Sequence, residues 1–185
     1  QRDCFLHQRN TGRTTIVSVN SKEKRGNGPC SNASVSASGR WVAFSSGATN
    51  MTRRDRSRNM DVFLRDRLRG KTIQVSLGKR GRQAAGGSWD PSISDSGRFV
   101  AFTSNAGNIV AKDRNRKRDV FRRDIVTRKT TLVSRRQTGR SPAGDSDDPS
   151  ISGDGRFVAF ESEARNLKPQ DRDILEDVYI RGPYR

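Results

Sequence analysis

"PSISDSGRFVAF" runs from Pro91 to Phe102, and "PSISGDGRFVAF" runs from Pro149 to Phe160. Each is a short apolar burst with a glycine-containing turn inside it. A third version, "ASVSASGRWVAF", spans Ala33 to Phe44, so the three start at 33, 91 and 149, a period of 58 residues. Two further landmarks keep the same spacing. "DCFLHQ", "DVFLRD", "DVFRRD" and "DVYIRG" begin at Asp3, Asp61, Asp119 and Asp177, and "TTIVS", "TIQVS" and "TTLVS" end at Ser18, Ser76 and Ser134. Three landmarks on one clock, with no insertion between them, make an internal repeat.

Each repeat reads as four short strands. Strand a is the Ser-Val/Ile-Ser segment. The turn "ASGR", "DSGR" or "GDGR" supplies the glycine that a tight hairpin needs for positive φ. Strand b, "WVAF" or "FVAF", is apolar on both faces, as expected between neighbouring sheets. Strand c, "DVFLRD", alternates: Val62 and Leu64 share one face, Phe63 and Arg65 the other. Strand d is Thr-rich and β-branched. No stretch shows a 3.6-residue period. Four short strands per repeat predict an all-β fold, a β-propeller built from blades. Residues 1–18 then supply strands c and d of a first blade, 33–76 and 91–134 two full blades, and 149–181 a blade lacking its last strand. Thirteen strands fall short of an ordinary closed ring. Either further blades lie outside this chain, the alternative slightly favoured, or a second copy or larger assembly completes the ring.

The pattern "PSIS-[DG]-[SD]-GRFVAF-x-S", then "DVF-x-RD", then "TT-x-VS", resembles the TolB-like, WD40-like (PD40) β-propeller repeats of bacterial envelope and secreted proteins. The resemblance covers essentially the whole chain. It implies a binding or scaffolding module in the periplasm, envelope or extracellular space. Related blades also precede catalytic domains in prolyl-oligopeptidase-type enzymes, so a gating propeller of a larger hydrolase and a structural assembly subunit are the alternatives.

The chain is lean in apolar residues, at 30%, and carries a formal charge of +17 from 37 Lys+Arg against 20 Asp+Glu. Such an excess attracts polyanions, and a solvated surface is the plain alternative. No apolar run is long enough to span a membrane. In a propeller the b–c and d–a loops share one face. The b–c loops carry Arg53, Arg54, Arg56 and Arg58, then Lys112, Arg114, Arg116, Lys117 and Arg118. The d–a loops carry Lys79, Arg80 and Arg82, then Arg135, Arg136 and Arg140. Arginine suits paired contacts to phosphate, sulfate or carboxylate, so this face is expected to grip a protein partner or an acidic polymer. No recognition helix or RNA-binding motif is visible. The third b–c loop, with Glu161, Glu163 and Glu176, is acidic.

The b–c loops also repeat a spacing of oxygen-bearing residues: Asp55 and Asp61; Asp113, Asn115 and Asp119; Asp171, Asp173 and Asp177. It resembles the first half of a calcium loop. The match is partial, because no bidentate Glu follows at position twelve and arginines crowd the first two copies. Asx turns that cap loop amides are the alternative. The third copy, richest in acids, is the best calcium candidate of the three.

Asp61 and Arg40 recur in register through the repeats, which points to structural hydrogen bonds and away from catalysis. His7, the single histidine, stands where other repeats have Arg65 and Arg123. It lacks a nucleophile at recognisable spacing, and no enzyme activity is expected within the chain. The sequons Asn32-Ala-Ser34 and Asn50-Met-Thr52 matter only in a eukaryotic secretory host. Cys4 and Cys30 are too few for a disulfide scaffold. One bridge is an open alternative. Two unpaired thiols are favoured, Cys4 buried in strand c and Cys30 more exposed in a loop.

Overall fold

Alternation of side chains along each strand sends one set toward the preceding blade and the other toward the next. In the computed structural model, which describes residues 2–184 except 54, 56, 112, 114 and 169–174, this produces four sheets side by side. Blade I holds β1 (Phe5–Gln8) and β2 (Arg13–Ile16). Blade II is β3 (Cys30–Val35), β4 (Trp41–Ser46), β5 (Asp61–Asp66) and β6 (Lys71–Gln74). Blade III is β7 (Ser88–Ile93), β8 (Phe99–Ser104), β9 (Asp119–Asp124) and β10 (Thr130–Leu132). Blade IV is β11 (Ser146–Ile151), β12 (Val158–Ser162) and β13 (Asp177–Arg181). Every pairing is antiparallel between chain neighbours. The four-stranded antiparallel blade matches the sequence expectation.

The core lies between blades. Val62 and Leu64 pack with Val100, Phe102 and Phe121 of blade III, while Phe63 packs with Cys4, Val17 and Phe44 on the other side. Ala101, Val120 and Val133 pack with Phe160 and Leu167 of blade IV. All six residues of β5, β8 and β9 are buried. An aromatic pair repeats in blades II, III and IV: Phe44–Phe63, Phe102–Phe121 and Phe160–Tyr179, with ring centroids 5.7 to 5.8 Å apart. Such pairs add to simple area burial.

Strand a begins three residues earlier than the sequence pattern predicts, at Cys30, Ser88 and Ser146. A bulge sits at its centre, where the register of β3, β7 and β11 shifts against the next strand. Asn32, Asp90 and Asp148 occupy it with φ of 46, 51 and 44°; Asn and Asp tolerate this region better than most residues. The a strands run side by side along the inner edge. The Ile93 amide donates to Ser34 Oγ at 3.2 Å, and the Ile151 amide to Ser92 Oγ at 3.0 Å. The hairpin glycines have a second duty. A Cβ on Gly97 would run into the Trp41 ring, and one on Gly155 into Phe99, so each turn seats on the aromatic ring of the blade before it.

Two polar devices recur, as expected for residues that repeat in register. The "DVF" aspartate clamps strand c to the end of strand d. Ser76 Oγ donates to Asp61 at 2.7 Å and accepts from the Val62 amide at 3.0 Å. Ser134 with Asp119 and Val120, and Ser18 with Asp3 and Cys4, repeat it. The turn arginine pairs with the last aspartate of strand c, Arg40 with Asp66 at 2.6 Å and Arg98 with Asp124 at 2.7 Å. Gly182 occupies that aspartate's position in blade IV.

The cysteines correct the expectation of free thiols. Cys4 and Cys30 form a disulfide, with Cα atoms 5.7 Å apart, within the ordinary span for a bridge. Cys30 is not in an exposed loop: it opens β3 and is 1% exposed. Spacing along the chain could not show that strand c of blade I lies beside strand a of blade II. The bridge ties the two-stranded blade I, too small to stand alone, to a complete blade. Reduction, or Cys30→Ser, is expected to cost about 3 kcal/mol and to release blade I first, seen as a melting shift with early proteolysis near the N-terminus.

The Arg98 guanidinium holds the Asp124 carboxyl down to about 2, helped by the Thr127 and Val126 amides. A depressed carboxyl stabilises the fold above its unfolded value, about 3.9, and that contribution fades as pH falls through the folded value. Arg98→Ala is therefore expected to lower the melting temperature at neutral pH. Melting curves of the two proteins should converge as pH drops from about 4 toward 2.

Candidate functional site

The b–c and d–a loops do share one face. Asn27 and Asn50 stitch the first pair, Asn105 and Asn108 the second and Asn166 the third. Asn50 Nδ2 donates to Arg25 O at 2.9 Å, Asn108 Nδ2 donates to Gln83 O at 3.0 Å, and Asn166 Oδ1 accepts from the Ala143 amide at 3.0 Å. Arg53, Arg58, Lys79, Arg80, Arg82, Arg116, Lys117, Arg135 and Arg140 are exposed or partly exposed there, and Arg136 is at least partly exposed. Arg54, Arg56, Lys112 and Arg114 lie outside the described residues. Among the described members of this predicted cation set only Arg118 is in an ion pair, 2.7 Å from Asp147.

This face is not evenly basic. Near the inner edge, Asp147, Asp148 and Glu161 bring carboxylate oxygens within 4.8 Å of one another. Asp90 lies close enough to raise the Asp147 carboxyl further, although burial is the main cause. Asn32 donates its amide to Asp90. The inner edge is thus acidic and partly neutralised by Arg118.

The positive charge converges elsewhere, in a groove of about 660 Å³ between blades II and III. It runs along β6 from the c–d turn to the d–a loop. Arg69, Lys71, Lys79, Arg80, Arg123 and Arg128 line it, over apolar walls of Trp41, Ile73, Leu77, Ile109 and Ile125. Its one carboxylate, Asp66, is already held by Arg40. Lys79 and Arg80 are visible in the sequence as loop cations. The other four escape a reading by loops, because they sit on strands c and d or the c–d turns.

Arg123 is the pivotal residue. It projects from β9, is 9% exposed, and donates to Thr130 Oγ1 at 2.8 Å. Burial lowers its pKa, and Arg128 lowers it further. One repeat earlier, Arg65 occupies the equivalent place and likewise reaches Thr72 Oγ1, at 3.3 Å. Arg65 has a carboxylate as well: Glu23 Oε1 lies 2.5 Å away. The position equivalent to Glu23 is Gly81, with φ of 70° against 58° for Glu23. The position equivalent to Gly70, whose Cβ would crowd Glu23 at 3.1 Å, is Arg128. The groove has therefore lost the repeat's own carboxylate and gained a cation. A smaller hollow of about 280 Å³ repeats the theme at blade IV, where Arg135, Arg136 and Arg181 surround Gly182 and Tyr184.

The oxygen-bearing ladder divides. Asp55, Asp61, Asp113 and Asp119 are all 3% exposed or less. Burial pushes the Asp55 carboxyl up to about 6 and Asp119 up to about 8. Asn115 is half-buried, its amide on Pro142 O at 3.0 Å. Asp171 and Asp173 lie outside the described residues, and Asp177 is exposed on β13. By composition the third copy is the best cation candidate, yet the buried carboxylates belong to the first two.

No family model matches the chain, and no curated protein matches it in sequence. Solved structures do match. TolB from Acinetobacter baumannii aligns with 98% of this chain and 35% of its own at a TM-score of 0.56 and 15% identity. A prolyl endopeptidase aligns with 98% of this chain and 24% of its own, at 0.55 and 18%. The tricorn protease aligns with 95% and 14%, at 0.52 and 16%. The chain spans about a third or less of each. The fold is a TolB-like β-propeller fold, and these neighbours include both TolB and peptidases. Among the described residues no helix is long and apolar enough to cross a membrane.

Proposed function

We propose that the chain is a non-catalytic binding propeller whose groove between blades II and III takes an acidic ligand, an anionic glycan or an acidic segment of a partner protein. The observation that carries this reading is Arg123, a buried guanidinium facing a groove in which Gly81 replaces the carboxylate that pairs Arg65. A carboxylate, sulfate or phosphate of the ligand takes the place that Glu23 takes one repeat earlier. Arginine favours such paired contacts, and the flanking lysines and arginines extend the contact along a polymer. The apolar walls fit the body of a sugar ring or aliphatic side chain. A bacterial periplasmic, envelope or extracellular setting belongs to the same proposal, and the Cys4–Cys30 disulfide suits an oxidising compartment.

The test is binding of heparin and of polyglutamate as a function of salt. Binding should weaken steeply as salt rises, by the counterion release seen for other polyanions. Arg123→Gln should reduce affinity about tenfold, more than single changes among exposed cations. Gly81→Glu, which copies Glu23 into this repeat, should satisfy Arg123 from within and block the ligand. No binding at low salt, or binding that ignores both variants, would remove the groove from consideration. The two ligands together distinguish a sulfated glycan from an acidic peptide. The prolyl endopeptidase and tricorn likenesses favour a second reading, a gating propeller of a larger hydrolase, which a hydrolase domain in the full-length gene product would establish.

A further inference from the structure

The hollow between blades III and IV is the groove repeated one blade later. Its lining residues Arg135, Arg136, Gln137, Arg181 and Pro183 stand 58 positions after Leu77, Gly78, Lys79, Arg123 and Ile125, all of which line the groove. The backbone repeats as well. The d–a hairpin is closed by the Asn20 amide on Lys24 O at 2.9 Å, by Gly78 on Arg82 O at 2.8 Å and by Arg136 on Arg140 O at 2.8 Å. Leucine and glycine at two of the lining positions give way to Arg135 and Arg136, while Lys79 gives way to Gln137.

Arg181 holds the place of Arg65 and Arg123. Its Nη2 donates to Arg135 O at 3.0 Å, while its Nε is buried and has no hydrogen-bond partner. Among the described residues Arg181 is in no ion pair. Two carboxylates of the earlier repeats are gone. Glu23, which closes on Arg65, is replaced by Gly139, with φ of 77° against 58°, and the whole hairpin 135–140 is without an acid. Asp66 and Asp124, the last acids of strand c, give way to Gly182. A further cation lies behind the hollow: the Arg122 guanidinium is 4.9 Å from the Tyr184 ring, and its Nη2 has no hydrogen-bond partner. Arginines left without carboxylates beside an open hollow invite an anion.

We propose that this hollow is a second anion subsite, and that it and the groove take successive acidic side chains of one extended protein segment. The proposal rests on the reading of the groove as an anion site. A peptide fits because the occupant that the chain itself displays, Glu23 on Arg65, is a carboxylate carried by a peptide. Neighbouring sheets pack about 10 Å apart, and about three residues of extended chain cover that distance. One segment therefore reaches both arginines, and the second contact adds affinity as an intramolecular event.

The test is calorimetric titration with an end-blocked decaglutamate peptide at low salt. Arg181→Gln should weaken binding about tenfold and flatten its salt dependence. Gly139→Glu, which copies Glu23 into this repeat, should do the same by an independent route, with the melting temperature of both variants close to that of the wild type. Arg13→Gln, which removes an equal charge from β2 of blade I, should change binding little. Gly81→Glu combined with Gly139→Glu should abolish it. Loss with Gly81→Glu but none with Arg181→Gln or Gly139→Glu overturns the second subsite and leaves the groove standing. Loss with the two hollow variants but none with Gly81→Glu removes the groove, and the bridging segment with it. An equal loss with Arg13→Gln marks general charge attraction and overturns the proposal. So does heparin binding that depends on Arg181 in a chain that does not bind decaglutamate, since the occupant is then a sulfated glycan.

Discussion

Everything in this molecule depends on sheets that are apolar on both faces. Phe63 and Leu64 are adjacent in sequence, yet they belong to different cores, one shared with blade I and the other with blade III. A single blade folded alone would leave one of these surfaces wet. Fully burying a side chain of this size stabilises by about 1.5–3 kcal/mol, so the missing neighbour would forfeit several such terms. The fold is cooperative between nearest neighbours, as expected of repeat architectures. The same demand explains the small backbone fittings. The serine hydroxyls of one inner strand accept amides of the next, and the hairpin glycines leave room for the previous blade's ring.

Because the scaffold is the same in each repeat, differences between equivalent positions stand out as chemistry. Arg65 and Arg123 occupy one place in the fold and reach equivalent threonines. One is closed by Glu23; the other faces a groove beside Gly81 and Arg128. The earlier repeat displays, within the chain, the carboxylate that the groove lacks. A glutamate side chain thus outlines the acidic ligand proposed for the groove.

The architecture is legible in the sequence because its signal is periodic. The 58-residue clock, the alternation in "DVFLRD" and the turn glycines each have a direct physical cause, and strand count and facing follow from them. The exposed loop cations are legible too, since charge in long loops is visible as composition. The groove is not. Arg69, Lys71, Arg123 and Arg128 look like strand and turn residues, and they meet Lys79 and Arg80 only because strand d runs from one end of the blade to the other. Aligning the repeats position by position, at Glu23 with Gly81 and Gly70 with Arg128, holds the signal that could find it. The disulfide is hidden for a similar reason: Cys30 reads as loop until the bulged strand is seen to start there. The aspartate ladder is legible as spacing, but burial, which only packing reveals, is what separates Asp113 from Asp177.

The bulge in the inner strands sets Asp90 and Asp148 near the hub, in a protein whose total charge is strongly positive. Together with Asp147 and Glu161 they give the molecule a negative centre inside a positive periphery. A long anionic chain approaching this face would be turned away from the middle and guided outward to the flank between blades. Polarity of this radial kind sets the direction of approach before any contact forms, so on the proposed reading it would favour an elongated acidic ligand lying across the rim over a compact one plugging the axis.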